Sequence, residues 1–162
     1  MTGARLAPLL VLLASAAVVG GALLSQYVGG LQPCELCLYQ RWPYYGVILV
    51  TLAAAAVGDR RLSALALGLS ALAFVSGAGL AFYHVGVEQH WFAGPSACTG
   101  GATGDSLEEF RRRLLAQQPV ACDQPQWTLI GVSLAGWNLL ASLGLVALCG
   151  VAARRSAQAD AA

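Results

Sequence analysis

No lysine occurs in this chain of 162 residues, histidine appears only twice, and methionine only as Met1. Charged residues make up 10% of the composition against 57% hydrophobic ones, and the mean hydropathy is +0.65. So little charge excludes an ordinary soluble globule. The net charge of +1 carries no sign of nucleic-acid binding. A single methionine argues against copper delivery through soft sulfur ligands. The pair in Cys34-Glu35-Leu36-Cys37 has no second C-x-x-C and no closely spaced histidine pair to complete a zinc pattern, so no metal site is expected. Internal repeats and low-complexity tracts are missing too, apart from an alanine bias.

What the chain does have is long apolar runs, at 6–28, 43–57, 62–83 and 129–152. A hydrocarbon core of about 30 Å takes about 20 helical residues at about 1.5 Å each. The second run is short for that task, but Arg41, Trp42, Tyr44 and Tyr45 at its start are suited to anchor it at headgroup depth. The first run is too long for a signal-peptide core of about 7–15 residues, and no small-x-small site follows it. All four runs are therefore read as retained spans. The reading is an all-α membrane protein, a single integral domain over 1–162 forming a four-transmembrane-helix bundle. Small residues such as Gly68, Gly77 and Gly79 favour close helix packing.

Without lysine, orientation rests on arginine. Placing both termini in the cytoplasm puts Arg5, Arg60, Arg61, Arg154 and Arg155 on that side, with Arg41 alone flanking a span outside. Arg111, Arg112 and Arg113 then fall in a long translocated loop, where the bias is weaker. The outer loops are 29–42 and 84–128, and the inner one is a tight Gly58-Asp59-Arg60-Arg61 turn. Within the long loop, Ser106-Leu107-Glu108-Glu109 is a capping box. The stripe Leu107, Phe110 and Leu114, ended by Pro119, predicts a short amphipathic helix on the membrane surface.

Four cysteines, Cys34, Cys37, Cys98 and Cys122, then share the oxidising, periplasmic face of the membrane. If the chain is helical from Cys34 onward, Cys34, Cys37 and Arg41 lie on one face near a helix N-terminus, and both dipole and cation favour a thiolate. Pro43 disfavours helical geometry at Trp42, so a helix starting there is the other option, with the cation still beside the thiols. The bland role for Cys98 and Cys122 is a permanent staple, stabilising by about 3 kcal/mol in the chain-entropy model. A C-x-x-C on the same membrane face favours disulfide exchange between the pairs instead. Cys149 lies roughly 30 Å along the fourth span by helix rise and reads as a buried apolar residue.

With these residues placed, the chain resembles the DsbB family of bacterial disulfide bond formation proteins. The resemblance rests on Pro33-Cys34-Glu35-Leu36-Cys37 followed by Gln40-Arg41-Trp42 at the second span, Tyr83-His84 at the end of the third, and the cysteine pair in the long loop. It implies a protein thiol:quinone oxidoreductase of the bacterial inner membrane that re-oxidises a DsbA-like periplasmic thioredoxin-fold partner and passes electrons to ubiquinone or menaquinone. It assigns Cys98 as the cysteine attacked by the partner, Cys122 as its mate, Cys34 as the thiol that exchanges with the loop pair, and Cys37 as the one facing quinone. Arg41 and His84 would flank the quinone, with Trp42, Tyr44, Tyr45, Phe82 and Tyr83 as interface anchors or ring-pocket walls. A DsbA-like partner is strongly oxidising, at about -120 mV, so a quinone is a reasonable terminal acceptor.

Two other readings compete. A four-span structural protein with a stapled outer loop needs no thiol chemistry. An enzyme like the vitamin K epoxide reductases keeps the scaffold but carries its cysteine pairs in the opposite order along the chain.

Overall fold

The computed structural model describes residues 3–95 and 120–160. Helix α1 spans Gly3–Tyr27, the short α2 Glu35–Tyr39, α3 Trp42–Val57 and α4 Arg60–Glu88. A small hairpin follows, β1 Thr128–Leu129 antiparallel to β2 Val132–Ser133, and then α5, Leu134–Asp160. The long helices form a bundle: α1 packs on α3, α3 on α4 and α4 on α5, while α1 also touches α4 and α5.

The bundle is apolar outside and partly polar within. Leu13, Leu49, Leu65 and Leu72 face outward, each more than half exposed, whereas Ser15, Thr51, Ser70 and Ser142 are buried. Three of those hydroxyls donate to a carbonyl one turn back, Ser15 to Val11 at 2.7 Å, Thr51 to Val47 at 2.6 Å and Ser70 to Ala66 at 2.7 Å. Outward leucines suit lipid, and inward small hydroxyls let helices approach closely with their polar atoms satisfied. Among the described residues, three helices are long and apolar enough to cross a membrane: Arg5–Tyr27, Arg60–Glu88 and Leu134–Arg155. Helix α3, with 16 residues, rises about 24 Å, less than the hydrocarbon thickness.

Local chemistry sets the turns. Gly58 closes α3 in the left-handed conformation, at φ 76°, and its N–H donates to the Ala54 carbonyl. Asp59 then caps α4, its side chain accepting from the Leu62 N–H at 2.8 Å. Arg5 lies over this turn and donates to the Val57 carbonyl, placing the start of α1 at the same end of the bundle as the expected inner loop.

Helix ends depart most from the apolar runs at the end of α4 and at both ends of α5, which continues past Ala152 to Asp160. Helix α4 continues past Tyr83 to Glu88, because His84 and Glu88 find buried polar partners and the backbone ladder has no reason to stop. Before α5, Leu129 lies in the hairpin, and the helix begins only at Leu134. Ile130 (φ 54°) and Gly131 (φ 75°) form the left-handed pair that a two-residue hairpin turn requires. The amphipathic helix expected after Ser106, and Cys98, lie outside the described residues.

Candidate functional site

Beyond α1 the chain runs to Pro33 and then turns into α2 with Cys34 as its N-cap. The Cys34 sulfur accepts from the Cys37 backbone N–H at 3.2 Å, so the C-x-x-C spacing supplies its own helix cap. The helix ends at Tyr39, and Arg41 caps the separate α3, so Cys34, Cys37 and Arg41 do not share one helix face. Pro43, at the first turn of α3, imposes that break.

Cys34 is buried and Cys37 half-buried, and both are free thiols. The two sulfurs lie 2.7 Å apart, with the Cys34 thiol donating. That hydrogen bond is the main influence holding Cys37 below the ordinary thiol range; burial opposes it, a hydrogen bond from the Cys34 backbone assists, the Glu88 charge opposes, and the nearby Arg41 charge adds a smaller downward pull. Cys34 is pushed well above the ordinary range by the same bond, by burial and by the charge on Cys37. The pair thus holds one proton tightly and releases the other readily.

His84 reaches this pair from α4. Its Nε2 is 3.6 Å from the Cys34 sulfur and 3.9 Å from Oε1 of Glu88, and the backbone of Cys122 also hydrogen-bonds to the ring. On the far side of the ring, Gln40 Nε2 is 2.7 Å from Nδ1. Gln40 Oε1 accepts from Asn138 Nδ2 at 2.6 Å, and Asn138 Oδ1 accepts from the Tyr44 hydroxyl at 2.7 Å. Tyr44 also contacts the Ser142 hydroxyl at 3.0 Å. Since Gln40 Oε1 is occupied as an acceptor, its Nε2 is the donor to His84 Nδ1, which leaves the ring proton on Nε2, facing Cys34.

Cys122 is disulfide-bonded and buried, and packs with Cys34, Leu36 and Val87 in a second apolar cluster at this end of the bundle. Gln126 ties its segment to the loop before Cys34, donating to the Gln32 carbonyl at 2.6 Å. Cys149, by contrast, is buried in the main core beside Val11 and Leu145.

A cavity of about 480 Å³ opens beside the dithiol. Its walls are largely apolar side chains of α1 and α5, and Cys37, Arg41, Gln40 and His84 meet in it. Arg41 is held there by Gln26 of α1, whose Oε1 accepts from Nη1 at 2.7 Å. Tyr44 is buried inside the bundle and Trp42 exposed, so these aromatic neighbours take different roles.

The six residues expected at the site thus divide. Cys34, Cys37, Arg41, His84 and Cys122 come together, and Cys98 lies outside the described residues. Gln40, Asn138, Glu88 and Gln26 complete the site without having been assigned a role from the sequence. Polar residues beside or within apolar spans were the available signal, because such residues need buried partners. The sulfurs of Cys34 and Cys37 and a ring nitrogen of His84 all lie within 4.8 Å of one another, a donor set that chain spacing conceals.

A family model described as disulfide bond formation protein DsbB matches residues 4–152. Disulfide bond formation protein B 2 of Pseudomonas syringae is 35% identical over 156 residues, covering 84% of this chain and 80% of the relative. Disulfide bond formation protein B of Methylococcus capsulatus is 32% identical over 154 residues, covering 90% and 91%. Uncharacterized protein RP370 of Rickettsia prowazekii is 27% identical over 133 residues, covering 80% and 76%.

Proposed function

Because the chain belongs to the DsbB family of disulfide bond formation proteins, we propose that it is a protein thiol:quinone oxidoreductase that re-oxidises a DsbA-like periplasmic dithiol. One observation carries this reading: Cys122 and Cys34 share one small buried cluster, while Cys34, Cys37 and Arg41 line the adjoining cavity. A cysteine from each pair and an acceptor pocket are therefore gathered at one end of the bundle.

The cavity chemistry fits a quinone. Apolar walls suit its ring and tail, and the Arg41 guanidinium suits a ring oxygen gaining negative charge. Quinone supplies a terminal acceptor for two electrons and two protons, and Cys37, Arg41 and His84 are the residues that would hold it. The residues themselves do the preparatory work. Cys37 is kept as the readier thiolate, which favours its role as the thiol facing the acceptor. The His84 Nε2 proton faces Cys34, where it stabilises that sulfur when exchange with the loop pair releases it as a thiolate. Burial of Cys34 and Cys122 keeps water and stray thiols from the exchange.

In this reading α3 is a fourth span, anchored by Arg41 and Trp42 at one end, with both termini cytoplasmic in the bacterial inner membrane. Arg5, Arg60 and Arg61 beside the Gly58 turn support the orientation. The cysteine end then faces the periplasm, and Cys98 is the cysteine that the partner attacks.

The test is turnover. Purified protein given a reduced thioredoxin-fold dithiol should reduce ubiquinone or menaquinone analogues, and Cys37→Ser should abolish this. Undiminished quinone reduction by Cys37→Ser would end the proposal.

A further inference from the structure

We propose that the reduced protein carries a redox-gated site for a thiophilic divalent cation such as zinc, built from Cys34, Cys37 and His84 with Glu88 as fourth donor. The three nearest donor atoms already lie within 4.8 Å of one another. Two sulfurs, an imidazole nitrogen and a carboxylate oxygen are a donor set that zinc takes in tetrahedral geometry. With zinc–sulfur and zinc–nitrogen bonds of about 2.3 and 2.0 Å, the edges of such a tetrahedron are about 3.5–3.8 Å. The Cys34 Sγ to His84 Nε2 separation of 3.6 Å matches that edge, and Glu88 Oε1, 3.9 Å from the same nitrogen, must move in by about 0.5 Å to reach the shorter nitrogen–oxygen edge of about 3.4 Å. The sulfurs, 2.7 Å apart, must separate by about 1 Å, and the cavity beside Cys37 leaves room for its side chain to turn.

Supporting contacts strengthen the case. Glu88 is oriented by the Ser133 hydroxyl, which donates to its other oxygen. For Nε2 to ligate, the ring proton must sit on Nδ1 and find an acceptor. The chain through Gln40 and Asn138 provides one: if both amides turn over, Gln40 Oε1 accepts from Nδ1, and every other link reverses. The chain ends at Tyr44 and Ser142, two hydroxyls either of which donates or accepts, so both directions are satisfied. Binding releases the two thiol protons and changes no oxidation state. A Cys34–Cys37 disulfide has no thiolate to offer, so oxidation expels the metal. That bound zinc blocks turnover rests on the oxidoreductase reading; binding itself does not.

The experiment uses the full chain in detergent, with Cys98→Ser and Cys122→Ser leaving Cys34/Cys37 as the outer pair. The protein is reduced, freed of reductant and titrated with zinc chloride against a chromophoric chelator. We expect one zinc per reduced chain, none after oxidation, at least tenfold weaker binding in His84→Ala, a smaller loss in Glu88→Gln and no change in Cys149→Ser. Cobalt(II) gives a second readout independent of those variants, a thiolate-to-metal absorption band that Cys37→Ser reduces by about half. The site is overturned if the reduced protein takes up no zinc, if oxidised protein or His84→Ala binds it equally well, or if cobalt shows no thiolate band. Quinone reduction is measured separately on the natural sequence. Zinc uptake without such activity would sink the oxidoreductase reading alone, and activity without zinc uptake would sink the metal site alone.

Discussion

Nε2 of His84 stands 3.6 Å from the sulfur of Cys34, although the residues are fifty positions apart in the chain. One lies on α4 just past the third apolar run and the other in the loop before the second, and the packing of the bundle brings them together. The contact gives a buried thiol a proton donor at the sulfur that adjoins Cys122. It is also where disulfide exchange and the hydrogen-bond chain through Gln40 meet.

Cys37 should react as an activated thiol. Its ionisation is displaced downward, chiefly by the hydrogen bond from Cys34, so its thiolate fraction exceeds that of an ordinary cysteine at any pH below about 8.5. Alkylation of reduced protein by iodoacetamide, followed by mass spectrometry of the Cys37 peptide, should rise with pH to a plateau whose midpoint lies below the ordinary thiol value. Reactivity is lost as pH falls through that midpoint. Cys34→Ala should move the midpoint up more than Arg41→Met does, since the thiol bond outweighs the guanidinium charge. A midpoint unmoved by Cys34→Ala would contradict this account.

Gly86 is required by Phe92. The chain folds back beyond α4, with the Trp91 N–H donating to the Gly86 carbonyl at 2.8 Å, and the Phe92 ring settles where a β-carbon on residue 86 would stand. Tyr83 stacks on the same ring at 5.8 Å. Gly86→Ala should therefore cost about 1–3 kcal/mol, seen as a lower midpoint of thermal unfolding in detergent. Adding Phe92→Ala should recover most of that difference in a double-mutant cycle. Equal losses in both backgrounds would show that the ring is not the obstacle.

Tyr44→Phe tests the polar seam inside the bundle. The hydroxyl donates to Asn138 and contacts Ser142, and its loss leaves Asn138 Oδ1 without that donor. A loss of about 1 kcal/mol is expected, which for a chain of this size is about 2–4 °C in the unfolding midpoint. An unchanged midpoint would mean that the hydroxyl is not held in this seam.

Features written in local chemistry were legible from the sequence. The Gly58–Asp59 turn follows from a left-handed glycine and an N-cap aspartate, and the membrane character follows from apolar runs that the bundle turns outward. Hydropathy misplaced the end of α4 and the start of α5 because it records transfer preference, not hydrogen bonding. It falls at His84, where the α4 ladder continues under buried partners, and stays high at Leu129, where Ile130 and Gly131 turn the chain. Of the site, Cys34, Cys37 and Arg41 were legible from spacing. The placing of His84 was not, since its partners are long-range; Gln40 stands in the string before Arg41 with no role that the string reveals, and Asn138 and Glu88 have no motif that marks them. A buried polar side chain acquires its role from the acceptor it meets, and that acceptor lies on another helix.

Gln40 should act as a positioning residue for His84. Its amide occupies Nδ1 on one side and takes the Asn138 amide on the other, which fixes the ring proton on Nε2 toward Cys34. Gln40→Leu is similar in size but neither donates nor accepts, so Nδ1 loses its donor and the ring is free to adopt the other tautomer. The Nε2 proton then no longer faces the sulfur that must leave as a thiolate, and exchange between the loop pair and Cys34 should slow by about tenfold, a part of the roughly hundredfold or more that a positioned acid supplies. Stopped-flow oxidation of a reduced thioredoxin-fold dithiol measures the rate, and the unfolding midpoint separates this from a loss of structure. Because an unpositioned imidazole helps only when protonated, the slowed rate should recover partly at acid pH, where the ring takes up a second proton. A general packing defect has no such pH dependence, so a Gln40→Leu rate equally low at every pH would exclude the positioning role.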